Sequence, residues 1–159
     1  TSFDTTITTR IRTLCAMIEI SSLKEFNMDN KDPNAVFKHF TAGTPKHLSA
    51  SLTDIAPDVS EYIQEFVFGT IYAREGLTDE EKCLTTLTTL MAMGGCEAEL
   101  DNHVNVAINV GVSPQKIVDI FTQALPYAGF PRVINAINVA KKVFIEREVD
   151  FTPASVQEK

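Results

Sequence analysis

The chain has 159 residues, which suits one domain with a core of its own and needs neither disulfides nor metal to hold it. Its 44% hydrophobic and 22% charged residues are those of a globular protein, with no apolar run long enough for a membrane span. Fourteen basic against 21 acidic residues give a net charge of −7 with no basic cluster, which argues against a nucleic-acid partner.

Three cysteines, Cys15, Cys83 and Cys96, suit neither a secreted disulfide framework nor a zinc site, so a reducing, cytoplasmic setting is expected. The chain starts at Thr1 without an initiator Met, which reads as a trimmed or processed start.

Residues 4–23 carry Ile7, Ile11, Leu14, Cys15 and Ile18 at helical spacing and predict a first helix. Residues 24–46 lack a sustained period and read as an irregular arm, apart from a short helix over 33–40 behind an Asp32 cap. Another short helix is predicted over 45–54, and Pro57 is expected to end that segment. The domain boundaries expected are thus an N-terminal helix and arm over 1–57, a helical domain over 58–149, and a polar tail over 150–159.

Over 58–74, Asp58 and Glu61 suggest a capping box, and Val59, Tyr62, Ile63, Phe66, Val67 and Thr70 form a wide apolar stripe at 100° per residue. Gly76 stops this helix. Thr78 and Glu81 make a second capping box, followed by Leu84, Leu87, Thr88, Met91 and Ala92 on one face of a helix ending at Gly94-Gly95. A central helix is predicted over 96–110 with Gly111 as its stop. Ser113 caps, and Pro114 opens, a helix through Tyr127 with Ile117, Ile120, Phe121, Ala124 and Leu125 inward, closed near Pro126. Pro131 opens the last helix, whose apolar positions are Val133, Ile134, Ile137, Ala140, Val143 and Phe144. No segment alternates as a strand, so the fold class is all-α with antiparallel neighbours.

The chemistry gathers on the central helix. Cys96, Glu99 and His103 stand at i, i+3 and i+7 on one stripe, but Cys96 and His103 are two turns apart, roughly 10 Å along the axis, and cannot pair directly. Glu99 lies one turn before His103, within reach to hydrogen-bond it and hold its tautomer, which makes the two a proton-handling pair. Cys96 opens the helix, where partial positive charge favours a thiolate, and Cys83 on the preceding helix is its candidate redox partner. Asn102, Asn105 and Asn109 form a polar stripe beside this face, suited either to substrate oxygens or to contacts with another helix or subunit. His39 and His47 have no ligand-like spacing, and no metal site is expected.

The segment Phe68-Gly-Thr-Ile-Tyr-Ala-Arg-Glu-Gly-Leu77, the apolar helix after it, Glu99-Leu-Asp-Asn-His103, Gly111-Val-Ser-Pro114 and Tyr127-Ala-Gly-Phe-Pro131 follow one another as in a known family. In that order and spacing they resemble the carboxymuconolactone decarboxylase family, which includes the AhpD-like thiol hydroperoxidases. The resemblance covers about residues 58–147. It implies an AhpD-like helical bundle that forms a homo-oligomer, a trimer or hexamer, acts on a small-molecule substrate around the His103 helix, and uses no cofactor. It places Tyr127 in a site-lining turn and makes Arg74 and Lys82 the cations nearest the site, suited to holding a substrate carboxylate.

The sequence departs from both branches of the family. Glu99 stands where the AhpD-like branch has its resolving cysteine, and Lys82-Cys83 where an Arg-Glu pair is common. Three functions therefore stay open: proton transfer on a carboxylated lactone or related acid, thiol redox chemistry through Cys96, and a non-enzymatic oligomeric binding protein.

Overall fold

The computed structural model describes residues 32–42 and 49–151. The helix expected over 4–23, most of the arm over 24–46, Cys15, His47 and the tail after residue 151 lie outside them. Among the described residues every regular element is helical and no strand occurs, so the domain is an all-α, AhpD-like bundle.

The first described helix, α1 (Pro33–Thr41), forms as its sequence dictates: the Asp32 carboxylate accepts from Asn34 N at 3.0 Å, and Pro33 occupies the first turn, where no amide is needed. The short helix expected over 45–54 is a single 3₁₀ turn, Ser49–Leu52, among the described residues. Pro57 does not end a segment. It opens α2 (Pro57–Tyr62) from its first turn, with Ala56 as the cap and no Asp58–Glu61 box.

The same rod then widens into a π-helix, Ile63–Tyr72, a form rarely sustained for ten residues. Its wider turns rotate the buried face away from the one a 100° period predicts. Phe68 and Tyr72 are buried, Ile63 and Val67 are half-buried, and Val59, Tyr62 and Phe66 of the expected inner stripe point to solvent. Phe68 and Tyr72 meet α1 through an aromatic cluster: the Phe37 and Phe68 rings lie edge-on at 5.0 Å, and Phe40 and Tyr72 edge-on at 4.8 Å.

Helix α3 (Asp79–Met93) starts on a complete capping box. Thr78 Oγ1 accepts from Glu81 N at 3.2 Å, while the Glu81 carboxylate accepts from Thr78 N at 2.8 Å. Its threonines tolerate the helix by donating their hydroxyls to carbonyls one turn back, as Thr86 does to Lys82 O and Thr88 to Leu84 O. Gly94, at φ 69°, ends it in a conformation that suits glycine.

Helix α4 (Glu97–Asn109) is central, packing against α1, α3 and the last helix, and it buries Leu100, Val104, Val106 and Ala107. Ser113 accepts from Lys116 N to start α5 (Pro114–Gln123), on which Ile117 and Phe121 are fully buried. The helix expected to run through Tyr127 breaks at Ala124 instead, and a single turn, α6 (Leu125–Ala128), carries Pro126 where its missing N–H costs nothing. The last helix, α7 (Phe130–Glu146), opens on Pro131 and buries Val133, Ala136, Ala140, Val143 and Phe144 against α4 and α5.

Candidate active site

The side chains singled out in the sequence fall on three parts of this bundle. Glu99, Asn102 and His103 stand on α4, Cys96 is the residue that caps its N-terminus, and Cys83 and Lys82 lie in the second turn of α3. Arg74 follows the π-helix and is exposed, and Tyr127 sits on α6 with 88% of its surface open.

His103 is half-buried, but its Nδ1 atom is fully buried and has no hydrogen-bond partner among the described residues. A buried polar nitrogen of this kind is exceptional in a folded protein and costs stability unless something else meets it. Burial of the ring lowers the His103 pKa from 6.5 to about 4, against the opposing pull of the nearby Glu99 carboxylate. The imidazole is therefore neutral at neutral pH.

The hydrogen bond expected between Glu99 and His103 is not made. Glu99 acts on the ring through its charge, and the ring's Nδ1 is buried. Spacing at i, i+4 brings two side chains near each other but does not fix which ring atom faces which neighbour.

The two thiols are not brought together. Helix α3 continues from Cys83 to Met93, and Cys96 lies beyond its end, so ten residues of helix, roughly 15 Å, separate them. A disulfide needs Cα atoms within about 7 Å. Both thiols are free, and burial pushes Cys83 up to about 12, so it stays protonated. Cys96 Sγ lies 3.6 Å from Gly94 O and borders a cavity of about 20 Å³, room for a single water. Arg132 and Asn135 of α7 close the other side of that cavity. The proximity of Arg132 is non-local and had no signal in the sequence.

Lys82 is committed to the fold. Its ammonium donates to Tyr72 O at 2.7 Å and stands 3.5 Å from the Asp79 carboxylate, tying the end of the π-helix to the start of α3. Asp79 in turn meets His39 Nε2 at 2.8 Å, which gives the otherwise unassigned His39 a place in the contact between α1 and α3.

Two of the three asparagines on α4 are likewise structural. Arg147 donates to Asn105 Oδ1 at 3.0 Å and to Asn109 Oδ1 at 3.1 Å and 3.2 Å, and Asn109 Nδ2 donates to Phe40 O. These bonds fasten the end of α7 and the end of α1 to α4. Asn102, next to His103 in the chain, is half-buried. Among the described residues no group of three or more His, Cys, Asp or Glu side chains is placed to hold a metal ion.

The chain is an all-helical bundle with a half-buried histidine on its central helix, and comparison of sequences gives its family. A model of the Carboxymuconolactone decarboxylase family matches residues 57–142, and the chain belongs to this family. Among its relatives is the 4-carboxymuconolactone decarboxylase of Acinetobacter baylyi, 30% identical over 114 residues that span 70% of this chain and 83% of that protein. The nitrosuccinic acid decarboxylase npaB of Metarhizium robertsii is 34% identical over 82 residues, 52% of this chain and 57% of that protein.

Proposed function

We propose that this chain is a homo-oligomeric decarboxylase-like lyase that acts on a small carboxylic acid, with His103 as the group that moves the proton. The observation that carries this reading is the half-buried His103 on the central helix, whose buried Nδ1 has no hydrogen-bond partner among the described residues. The two named relatives support it by what their names share, since each decarboxylates a small acid.

Loss of CO2 breaks a carbon–carbon bond and leaves its electron pair on the remaining carbon. The substrate must spread that pair into a neighbouring acceptor, and a proton must reach the carbon. A neutral imidazole takes the proton of the substrate's carboxyl group on the side of the half-buried ring that is not covered, and CO2 departs. The imidazolium then returns that proton to the carbon, so the acid becomes CO2 and a product carrying hydrogen in its place. A conjugate acid with a pKa near 4 is a strong donor for that return step, and the Glu99 carboxylate steadies the imidazolium while it exists. Arg74, exposed at the end of the π-helix, is the cation suited to a second carboxylate on the substrate. Lys82 is less suited, because its ammonium already serves Tyr72 O and Asp79.

Thiol redox chemistry is the weaker reading, since the only other described cysteine is buried, protonated and remote from Cys96. The test is His103→Ala assayed for CO2 release from 4-carboxymuconolactone and from nitrosuccinic acid. Activity should fall by at least about 100-fold, the usual scale of general acid–base catalysis, with helical content unchanged by circular dichroism. Full activity in the variant would end the proposal.

A further inference from the structure

A groove of about 820 Å³ lies between α5 and α7, and none of the candidate active-site residues lines it. Buried Phe144 forms its floor, with half-buried Val118, Ile137, Val149 and Phe151 around it. The outer wall exists because Glu148 turns the chain in the left-handed region at φ 51°, Val149 N donates to Phe144 O at 2.9 Å, and the Phe151 ring tilts against Phe144 at 5.6 Å. Small-molecule sites have roughly 300–1,000 Å³, an apolar interior and a few polar groups that fix the ligand's orientation. This groove has all three.

Its charged lining settles the sign of the ligand. Asp119 on α5 and Glu148 beyond α7 stand there with Lys141 as the single cation, two carboxylates against one ammonium. Asp119 accepts one hydrogen bond from the neutral amide of Gln115, at 2.7 Å, so its charge is not cancelled. Among the described residues neither Glu148 nor Lys141 makes an ion pair.

The neighbouring cations are engaged elsewhere. Lys142 pairs with Asp101 at 3.0 Å and Glu146 at 3.7 Å, Arg147 is held by Asn105 and Asn109, and neither lines the groove. A chain with a net charge of −7 draws cations rather than anions toward such a mouth.

We infer that this groove binds a lipophilic amine, a molecule with an apolar body for the Phe144 floor and an ammonium head for Asp119 and Glu148. The site is separate from the His103 region and goes beyond the decarboxylase reading. Lys141 lowers the affinity for such a head without reversing its sign, since it faces two carboxylates.

The experiment is isothermal titration calorimetry at pH 7 on the full chain with decylammonium, decanol and decanoate, which carry three heads on one body. Decylammonium should bind once per chain and at least about ten-fold more tightly than decanoate, with decanol between them. Lys141→Gln should tighten the amine by about three-fold, the scale of one exposed charge pair. Asp119→Asn combined with Glu148→Gln leaves Lys141 as the only charge in the lining, and the preference should pass to decanoate. Thr122 is exposed on α5 and lines the groove, so Thr122→Trp fills it from the edge and should abolish binding of all three probes. Circular dichroism checks that each variant keeps its helical content.

Decanoate binding as tightly as decylammonium would overturn the inference. So would amine binding that survives in Thr122→Trp, which would mark adsorption to an acidic surface. Absence of binding by all three probes would overturn it too, and a fall in sedimentation mass with Ile145→Glu would then assign the groove to a second copy of the chain. His103→Ala should bind decylammonium as the wild type does, so the amine site and the decarboxylase reading stand or fall independently.

Discussion

His103 carries the most information of any residue in the molecule, and its position and its state came from different sources. The sequence placed it one turn after Glu99 on a helix face, which local periodicity is enough to do. It did not show that Nδ1 would be buried and unpaired, because that depends on which neighbours from other helices close over the ring. The pKa follows from this burial and gives a kinetic expectation. An ordinary histidine bends a pH profile near 6.5, whereas His103 titrates near 4. The kcat/KM profile should therefore show no histidine inflection at 6.5 and should bend near 4. Glu99 holds the His103 pKa up, so Glu99→Gln should move that inflection to still lower pH. An unmoved inflection in Glu99→Gln, or one at 6.5 in the wild type, would detach the reaction from this pair.

At the scale of elements, what was legible was local and what was not was long-range. The Asp32 cap, the Thr78–Glu81 box, the Ser113 cap and the Pro131 start each depend on residues within one turn, and each forms as read. The π-helix leaves no signal in the sequence, because a period of 100° per residue over 58–74 places Tyr62 and Phe66 inside, whereas both are exposed. The Arg147 clasp on Asn105 and Asn109 was equally hidden, since 42 and 38 residues separate the partners.

Helix α1 lies close against the π-helix at Gly69. A Cβ on Gly69 would stand 2.8 Å from Pro33 Cγ and 3.0 Å from its Cβ, and a proline ring at a helix start has little freedom to yield. Replacing a helical glycine by alanine normally stabilises a protein by roughly 0.5–1 kcal/mol. Gly69→Ala should do the reverse, costing about 1–2 kcal/mol as α1 is pushed off the π-helix, and the urea midpoint should fall. A midpoint that rises would mean that α1 does not lie against Gly69.

For the whole molecule, the same buried imidazole makes stability depend on pH in a definite direction. The unfolded chain binds a proton at His103 near pH 6.5, while the folded chain resists it until about 4. Between those values the unfolded state holds more protons, so stability rises with pH across the window and is lost as the medium is acidified through it. A shift of this size corresponds to something on the order of 3 kcal/mol at the acid end, a large share of the total stability of a domain. The net charge of −7 at neutral pH works the other way, because protonating carboxylates at first relieves repulsion among them. The two effects separate in a variant. His103→Gln keeps a polar side chain of similar reach but has no proton to gain, so its unfolding free energy should lose the slope that the wild type shows between pH 6.5 and 4. Denaturant titrations at half-unit steps of pH read this directly. Parallel curves for the two proteins through that window would show that His103 ionises alike in the folded and unfolded chain, and the neutral, buried base on which the proposed chemistry depends would be lost with it.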